Sequence, residues 1–441
     1  MLAIVVSRAD EASEHIGEHL LELAEWTEHE DDTRSDENGG GRYYRTDGAE
    51  LRTFDDLHLY LDGVAAAFDG PDMLVFASRH SGDTGALLTA HATGNFGPAE
   101  YGGYTGSLAR AAPNALSAVR RAFEEHAPEG YDAGIECTHH GPSSVGCPSL
   151  FVELGSGEAQ WEDAEGAEAV ARAILDLRGV DPATDRAVVG FGGNHYAPRF
   201  DRVVTETDWG VGHIAADWAL EEMGDPHEAR AVVAKAFQAS GADHALVDGD
   251  YPDLEAVIEG LGFEVVSETW LRETTGVPLD LVAQLERDLT PVDDGLRFGD
   301  PAEGYDGGFY VDELPTELLD EANGVDREAV LEAVASVALA YETTEGATLA
   351  SGPVALPEAG IYRDIVEELA AVLESKYDTV SVADDAVVAR REAFDPDLAR
   401  EAGVEEGPAF GRLSSGEPVE IGGETVTPDD VRRAREQRFP F

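Results

Sequence analysis

From Leu2 to about Ser267, short β-branched and apolar runs alternate with segments whose apolar residues recur at helical spacing. That alternation commits the chain to an α/β architecture, because each strand face and helix stripe must be buried against the next element. Leu2–Val6, Met73–Ser78, Ala86–His91, Gly134–Thr138, Leu150–Leu154, Arg186–Phe191, Ala245–Asp248 and Phe263–Ser267 read as strands. Glu11–Glu25, Pro113–His126, Glu162–Leu177, Ala216–Glu222, His227–Ser240 and Leu254–Leu261 read as helices. Leu57–Leu61 reads as a further strand, and Glu28–Gly41 as an acidic, Gly-rich exposed loop. The expected fold is a mixed, mostly parallel central sheet flanked by helices.

With 441 residues, the chain exceeds one typical domain. Near Asp288–Gly308 periodicity gives way to Pro, Gly and Asp, as in a linker. The expected organisation is a catalytic part over 1–287, a linker over 288–310 and a smaller α+β extension over 311–441. In the extension, Glu328–Tyr341, Gly360–Leu373 and Pro428–Glu436 read as helices and Thr379–Ala389 as a strand.

The histidines divide the chain more sharply. All 13 precede residue 245, so metal or proton-transfer chemistry belongs to the first part. His15, His19, His29, His126 and His227 read as solvated side chains, and His58 and His244 as structural ones. Others stand where strands end in turns, the place where α/β proteins bind ligands. Ser78-Arg79-His80 and His91 close two strands. Glu136-Cys137-Thr138-His139-His140-Gly141-Pro142 closes a third, and its glutamate is the odd residue in an otherwise buried run. A buried carboxylate needs a cation, a histidine or a metal. Adjacent His139 and His140 cannot point the same way along a strand, so one must turn with Gly141-Pro142. Gly192-Gly193-Asn194-His195-Tyr196-Ala197-Pro198-Arg199 sets His195 at the apex of a glycine turn, and Gly210-Val211-Gly212-His213 repeats the theme. Cys137 reads as a small buried residue rather than a nucleophile. No G-x-S-x-G elbow, phosphate-binding P-loop or H-E-x-x-H pair occurs.

Charge bears on partners. The chain carries 90 acidic and 30 basic residues, a formal net of −60, and only Lys235 and Lys376 are lysines. Acids are dispersed between apolar runs, which fits a folded protein adapted to multimolar salt rather than a disordered one. At 1 M salt the screening length is about 3 Å, so self-repulsion is suppressed. Counterion release also contributes little there, so the missing basic face does not argue against an RNA substrate. Two cysteines supply no disulfide framework. No run approaches the roughly 18 apolar residues of a membrane span, and the first residues lack the basic flank of a signal peptide. The expected compartment is the cytoplasm.

At Ser78-Arg79-His80, His91 with Gly94-Asn95, Glu136 to Pro142 and Gly193 to Pro198, the chain resembles the archaeal and plant D-aminoacyl-tRNA deacylases. The resemblance covers roughly residues 1–285. It implies a monomeric enzyme with two Zn2+ ions, a fold related to phosphorylase/peptidyl-tRNA-hydrolase-like proteins, and hydrolysis of the ester joining a D-amino acid to the tRNA 3′ end. On that basis the metal ligands come from His80, His91, Glu136, His139, His140, His195 and His213. His140, His195 and Glu136 are the expected catalytic groups. Arg79, Asn95, Tyr196 and Arg199 are the expected substrate contacts. A metal-dependent hydrolase or nucleosidase acting on a small molecule is the alternative. The run Gly407-Pro408 to Val419 resembles a terminal motif of tRNA 3′-processing nucleases, but their HxHxDH signature is absent and that activity is not carried over.

Overall fold

The computed structural model describes residues 1–441, which form two compact units, Met1–Thr275 and Gly276–Phe441. The first is built on two sheets. Its larger sheet has eight strands: β1 (Leu2–Ser7), β2 (Thr27–Asp31), β3 (Gly41–Thr46), β4 (Ala49–Phe54), β5 (Met73–Arg79), β6 (Leu87–His91), β9 (Asp132–Ile135) and β10 (Ser149–Gly155). Two short strands, β7 (Gly94–Asn95) and β8 (Ser107–Leu108), pair apart from it. The order is β2-β3-β4-β1-β5-β10-β6-β9. β4, β1, β5 and β10 run parallel, as do β6 and β9, while β10 meets β6 antiparallel. β1 and β10 are buried along their whole length, as strands covered on both faces must be.

One covering layer is the helix Glu11–Leu23, capped by Asp10, whose side chain accepts the Ser13 N–H. Its Ile16 and Leu20 are fully buried. The helix Ala164–Asp176 starts on the Asp163 cap and buries Val170 and Ile174. Opposite, Phe76 and Phe151 stack with centroids 4.5 Å apart in a cluster with Val64 and Phe68.

The second sheet is all parallel, in the order β12 (Gly210–Ala215), β11 (Ala187–Gly192), β13 (His244–Asp248), β14 (Glu264–Val266). Phe191, Phe237 and Val257 anchor its core. The segment after β9 joins the two sheets. The Glu136 N–H donates to Ala90 beside β9, the Cys137 N–H to the His195 carbonyl, and the Thr138 N–H to Ile214 of β12. Strand ends from both sheets therefore converge on Glu136 to His140.

The second unit is α+β. One antiparallel sheet runs β15 (Leu296–Phe298), β17 (Ala340–Thr344), β18 (Leu349–Leu356), β16 (Tyr310–Glu313). Another runs β19 (Thr379–Val382), β20 (Ala386–Phe394), β23 (Arg432–Pro440), and a hairpin joins β21 (Val419–Ile421) to β22 (Glu424–Val426). The helices Thr316–Asn323, Arg327–Ala335 and Tyr362–Val372 supply its core through Leu318, Val330 and Leu369.

Several local expectations give way to tertiary pairing. Residues 288–310 carry two 3-10 turns and the paired strand β15. Pro428–Glu436 is not a helix: a 3-10 turn, Pro428–Val431, leads into β23, whose polar residues pair with β20. Leu57–Leu61 holds a 3-10 turn rather than a strand. Glu28–Gly41 contributes an edge strand, β2, whose exposed acids disguise it. No helix is long and apolar enough to cross a membrane.

Candidate metal centre

Glu136 is the hub. Its carboxylate is fully buried, with Oε2 accepting from His195 Nε2 at 2.9 Å and lying 3.8 Å from His139 Nε2. His80 Nδ1 comes within 2.9 Å of Oε1, but off the line of a hydrogen bond, so Oε1 is a buried oxygen without a hydrogen-bond partner. A second carboxylate, Glu153 on β10, lies beside it, 3.6 Å from His80 Nδ1 and 3.5 Å from His91 Nε2. His91 Nε2 is likewise buried without a hydrogen bond. His80 fits against β10 because a Cβ at Gly155 would stand 2.6 Å from its own Cβ.

The turn after Glu136 brings both neighbouring imidazoles inward. His140 takes the left-handed φ of 47°, a costly conformation for a residue with a Cβ. Thr93 Oγ1 donates to the carbonyls of His140 and Pro142 and fixes the turn. The rings of His139 and His140 then lie 4.3 Å apart, and His91 stacks on His139 at 4.2 Å.

Three backbone carbonyls set the tautomers. His91 Nδ1 donates to Ala92, His139 Nδ1 to Cys137 and His140 Nδ1 to Gly141, at 3.0, 2.9 and 2.8 Å. A carbonyl only accepts, so each Nδ1 carries a proton, and Nε2 is the nitrogen of each ring left to face a metal. Oriented imidazoles of this kind are the usual ligands of metal sites. Burial, with repulsion from His91 and His140, holds His139 well below the usual imidazole range, and burial beside His91 brings His140 to about 3. Burial alone would raise the Glu136 carboxyl, but the His195 hydrogen bond and the close His80 ring hold it well below the usual carboxylate range. Burial also opposes ionisation of Glu153, and His80 and His91 bring it down.

Neutral imidazoles and ionised carboxylates are what a divalent cation requires. Three groups bring ligand atoms within 4.8 Å of one another: His91, His139 and His140; His80, Glu136 and Glu153; and Cys137, His139 and His195. The donor set and the two orphaned buried atoms fit a metal. Burial and the Glu136 charge push the Cys137 thiol up to about 12, which leaves no thiolate for nucleophilic work.

These side chains form the floor of a cavity of about 430 Å3 lined by His80, His139, His140, Glu153, His195 and Tyr101. A second, of about 310 Å3, shares Leu59, Tyr101, His139 and His140 with it and adds Asn95 and Trp218. A larger cleft of about 520 Å3, between Asp217–Met223 and Asp250–Leu254, contains no imidazole.

Most expected site residues gather here, and two do not. His213 is fully buried, with Nδ1 on Thr138 Oγ1 at 3.0 Å and Nε2 on the Ala109 carbonyl at 2.7 Å, so neither nitrogen is free for a metal. Arg199 is held by Glu268 at 3.1 Å, Asp248 at 3.3 Å and the Val247 carbonyl at 2.9 Å, outside both cavities. Its turn is dictated by Gly192, where a Cβ would strike the Asp248 carbonyl at 2.2 Å. Arg79 lines the larger cavity with its guanidinium over Trp161. Asn95 Nδ2 donates to Gly102, and the Tyr196 hydroxyl lies 3.5 Å from His80 Nε2. Glu153 is absent from the sequence-derived set. It carries the signal that marks Glu136: a lone carboxylate in the apolar run Ser149–Gly155.

Fold and site together define an α/β protein with a buried histidine–carboxylate centre at the junction of two sheets. The D-aminoacyl-tRNA deacylase family model matches residues 67–266. Proteins named D-aminoacyl-tRNA deacylase match along the whole chain. That of Natronomonas pharaonis is 73% identical over 100% of both chains, and that of Haloarcula marismortui 53% identical over 100% of both. That of Methanoregula boonei is 33% identical over 99% of this chain and 98% of its own. The chain belongs to the D-aminoacyl-tRNA deacylase family. A crystal structure described as a conserved protein of unknown function matches with TM-score 0.55 and 29% identity, over 62% of this chain and 98% of that one. That smaller protein therefore has no counterpart to more than a third of this chain.

Proposed function

We propose that this protein hydrolyses the ester joining a D-amino acid to the 3′ end of tRNA, as a cytoplasmic monomer using two Zn2+ ions. The observation that carries the reading is the meeting of His91, His139 and His140 with His80, Glu136 and Glu153 beneath one cavity, which His80, His139, His140 and Glu153 line. The names borne by its relatives supply the substrate. Catalysis belongs to residues up to about 287, since every histidine precedes residue 245.

His91, His139 and His140 would hold one ion, and His80, Glu136 and Glu153 the other. When bound, zinc would lower the pKa of a coordinated water toward neutral pH and would itself act as Lewis acid toward the ester carbonyl. Glu136 holds His195 through Nε2, and its Nδ1, 3.5 Å from the Cys137 sulfur, is the atom that would take up a proton once that thiol contact gives way. The Tyr196 hydroxyl, 3.5 Å from His80 Nε2, would donate the proton to the departing ribose oxygen. Tyr101, exposed at 65%, and Trp218, at 40%, flank the smaller cavity and suit the flat face of the terminal base. Stacking is an apt contact for a −60 chain in strong salt, since it does not depend on long-range charge. Arg79 is the contact for the terminal phosphate.

The test is release of tyrosine from D-tyrosyl- and L-tyrosyl-tRNA by protein purified in high salt. Hydrolysis of the D-ester with the L-ester spared is expected. Equal cleavage of both would contradict a proofreading role.

A further inference from the structure

The chain has three acids for every base, with 90 against 30, yet β20 and β23 invert that balance. These two nine-residue strands carry Arg390, Arg391, Arg432, Arg433, Arg435 and Arg438, with Glu392 and Glu436 as their only acids. In their register Arg391 stands directly opposite Arg435, and Ala393 opposite Arg433. Alternate residues share a face, so Arg391, Arg433 and Arg435 form one row. That row continues the face that buries Val387, Ala389 and Phe439. β19 pairs with β20 only as far as Arg390, so beyond it the sheet narrows to a two-stranded ribbon.

Like charges placed directly opposite on a ladder destabilise it. On the other face Arg390 is matched by Glu436 at 2.8 Å, and Arg438 pairs with Asp385 at 3.2 Å. Arg433 meets Asp395 at 3.1 Å. Arg391 lies over the Tyr377 ring, 5.6 Å from its guanidinium, with Glu321 near, and exposed Arg435 has Asp395 near, but neither forms an ion pair. Glu321 is paired with Lys376 and Asp395 with Arg433, so neither of these opposed guanidiniums has an ion-pair partner of its own.

We propose that this face of the β20–β23 ribbon binds the phosphodiester backbone of the tRNA substrate through Arg391, Arg433 and Arg435. The inference rests on the proposed function and assigns its second unit a part in substrate binding. Arginine suits the task in strong salt. Screening removes long-range attraction, but a guanidinium fork still makes bidentate, charge-assisted hydrogen bonds to a phosphate.

The test compares the full chain with the triple variant R391S/R433S/R435S in hydrolysis of D-tyrosyl-tRNA. KM should rise about tenfold with kcat held within about twofold, because the removed contacts bind substrate uniformly. The R391K/R433K/R435K variant should fall between the two. If the triple variant fails to fold, R435S alone, on an exposed edge-strand position, should raise KM by about two- to threefold. Wild-type hydrolysis with an unchanged KM in the variants overturns the ribbon site and leaves the proposed function standing. An unchanged KM with loss of self-association assigns the arginines to a second copy of this acidic chain, which also overturns it. No wild-type hydrolysis of D-tyrosyl-tRNA overturns the proposed function, and this inference with it.

Discussion

Glu136 Oε2 accepts a hydrogen bond from His195 Nε2 at 2.9 Å, across 59 residues of chain and between the two sheets of the first unit. The same carboxylate lies 2.9 Å from His80 and 3.8 Å from His139. One buried charge thus orders three imidazoles from three separate strand ends. Glu136→Gln keeps the shape and removes the charge. It should lower kcat/KM on D-tyrosyl-tRNA by at least about 100-fold and reduce bound metal, read by elemental analysis of the purified variant.

Glu153 gives a sharper trial, because it was found from the structure alone. It closes the carboxylate side of the centre against His80 and His91. Glu153→Gln should weaken metal binding or activity by about 10- to 100-fold. Wild-type zinc affinity and rate in this variant would remove Glu153 from the centre.

His213 should behave in the opposite way. Both its nitrogens are engaged, on Thr138 and Ala109, and burial lowers its pKa to about 4. His213→Ala should cost about 2–3 kcal/mol of stability, from a lost pair of hydrogen bonds and a cavity, and leave metal content unchanged. Denaturant unfolding and metal analysis on one preparation separate the two effects.

Strand-end histidines and the lone Glu136 marked the centre because a buried strand tolerates a carboxylate only beside a cation, and α/β sites form at strand ends. His213 carried the same Gly-flanked signature, but whether a histidine meets a metal or a carbonyl depends on what packs against it, here Ala109 from far away in the chain. Arg199 failed for the same reason: Glu268, 69 residues on, occupies it. In the second unit Pro428–Glu436 reads as helix because its Arg, Ala and Glu residues are good helix formers, and only the partner strand β20 makes Arg432–Pro440 a strand.

Glu268 also makes stability depend on pH. Burial would raise its carboxyl, but Arg202, Arg272 and Arg199 bring it down to about 2. A depressed folded-state pKa stabilises the fold above the ordinary carboxylate range, and the contribution fades as pH falls toward 2. At pH 7 Glu268→Gln should cost about 1 kcal/mol, allowing for solvent screening of the exposed arginines. The difference in Tm between the two proteins should shrink as pH is lowered below about 4.5. A constant difference across that range would contradict the ion-pair origin.

The central claim is that the histidine–carboxylate centre acts through bound metal. The most direct measurement follows release of D-tyrosine from D-tyrosyl-tRNA by the full chain in high salt, before chelation, after it, and after adding back Zn2+. Loss of activity on chelation and its return with zinc, at two ions per chain, is the expected result. Full activity in chelated protein shown by elemental analysis to be metal-free would contradict it.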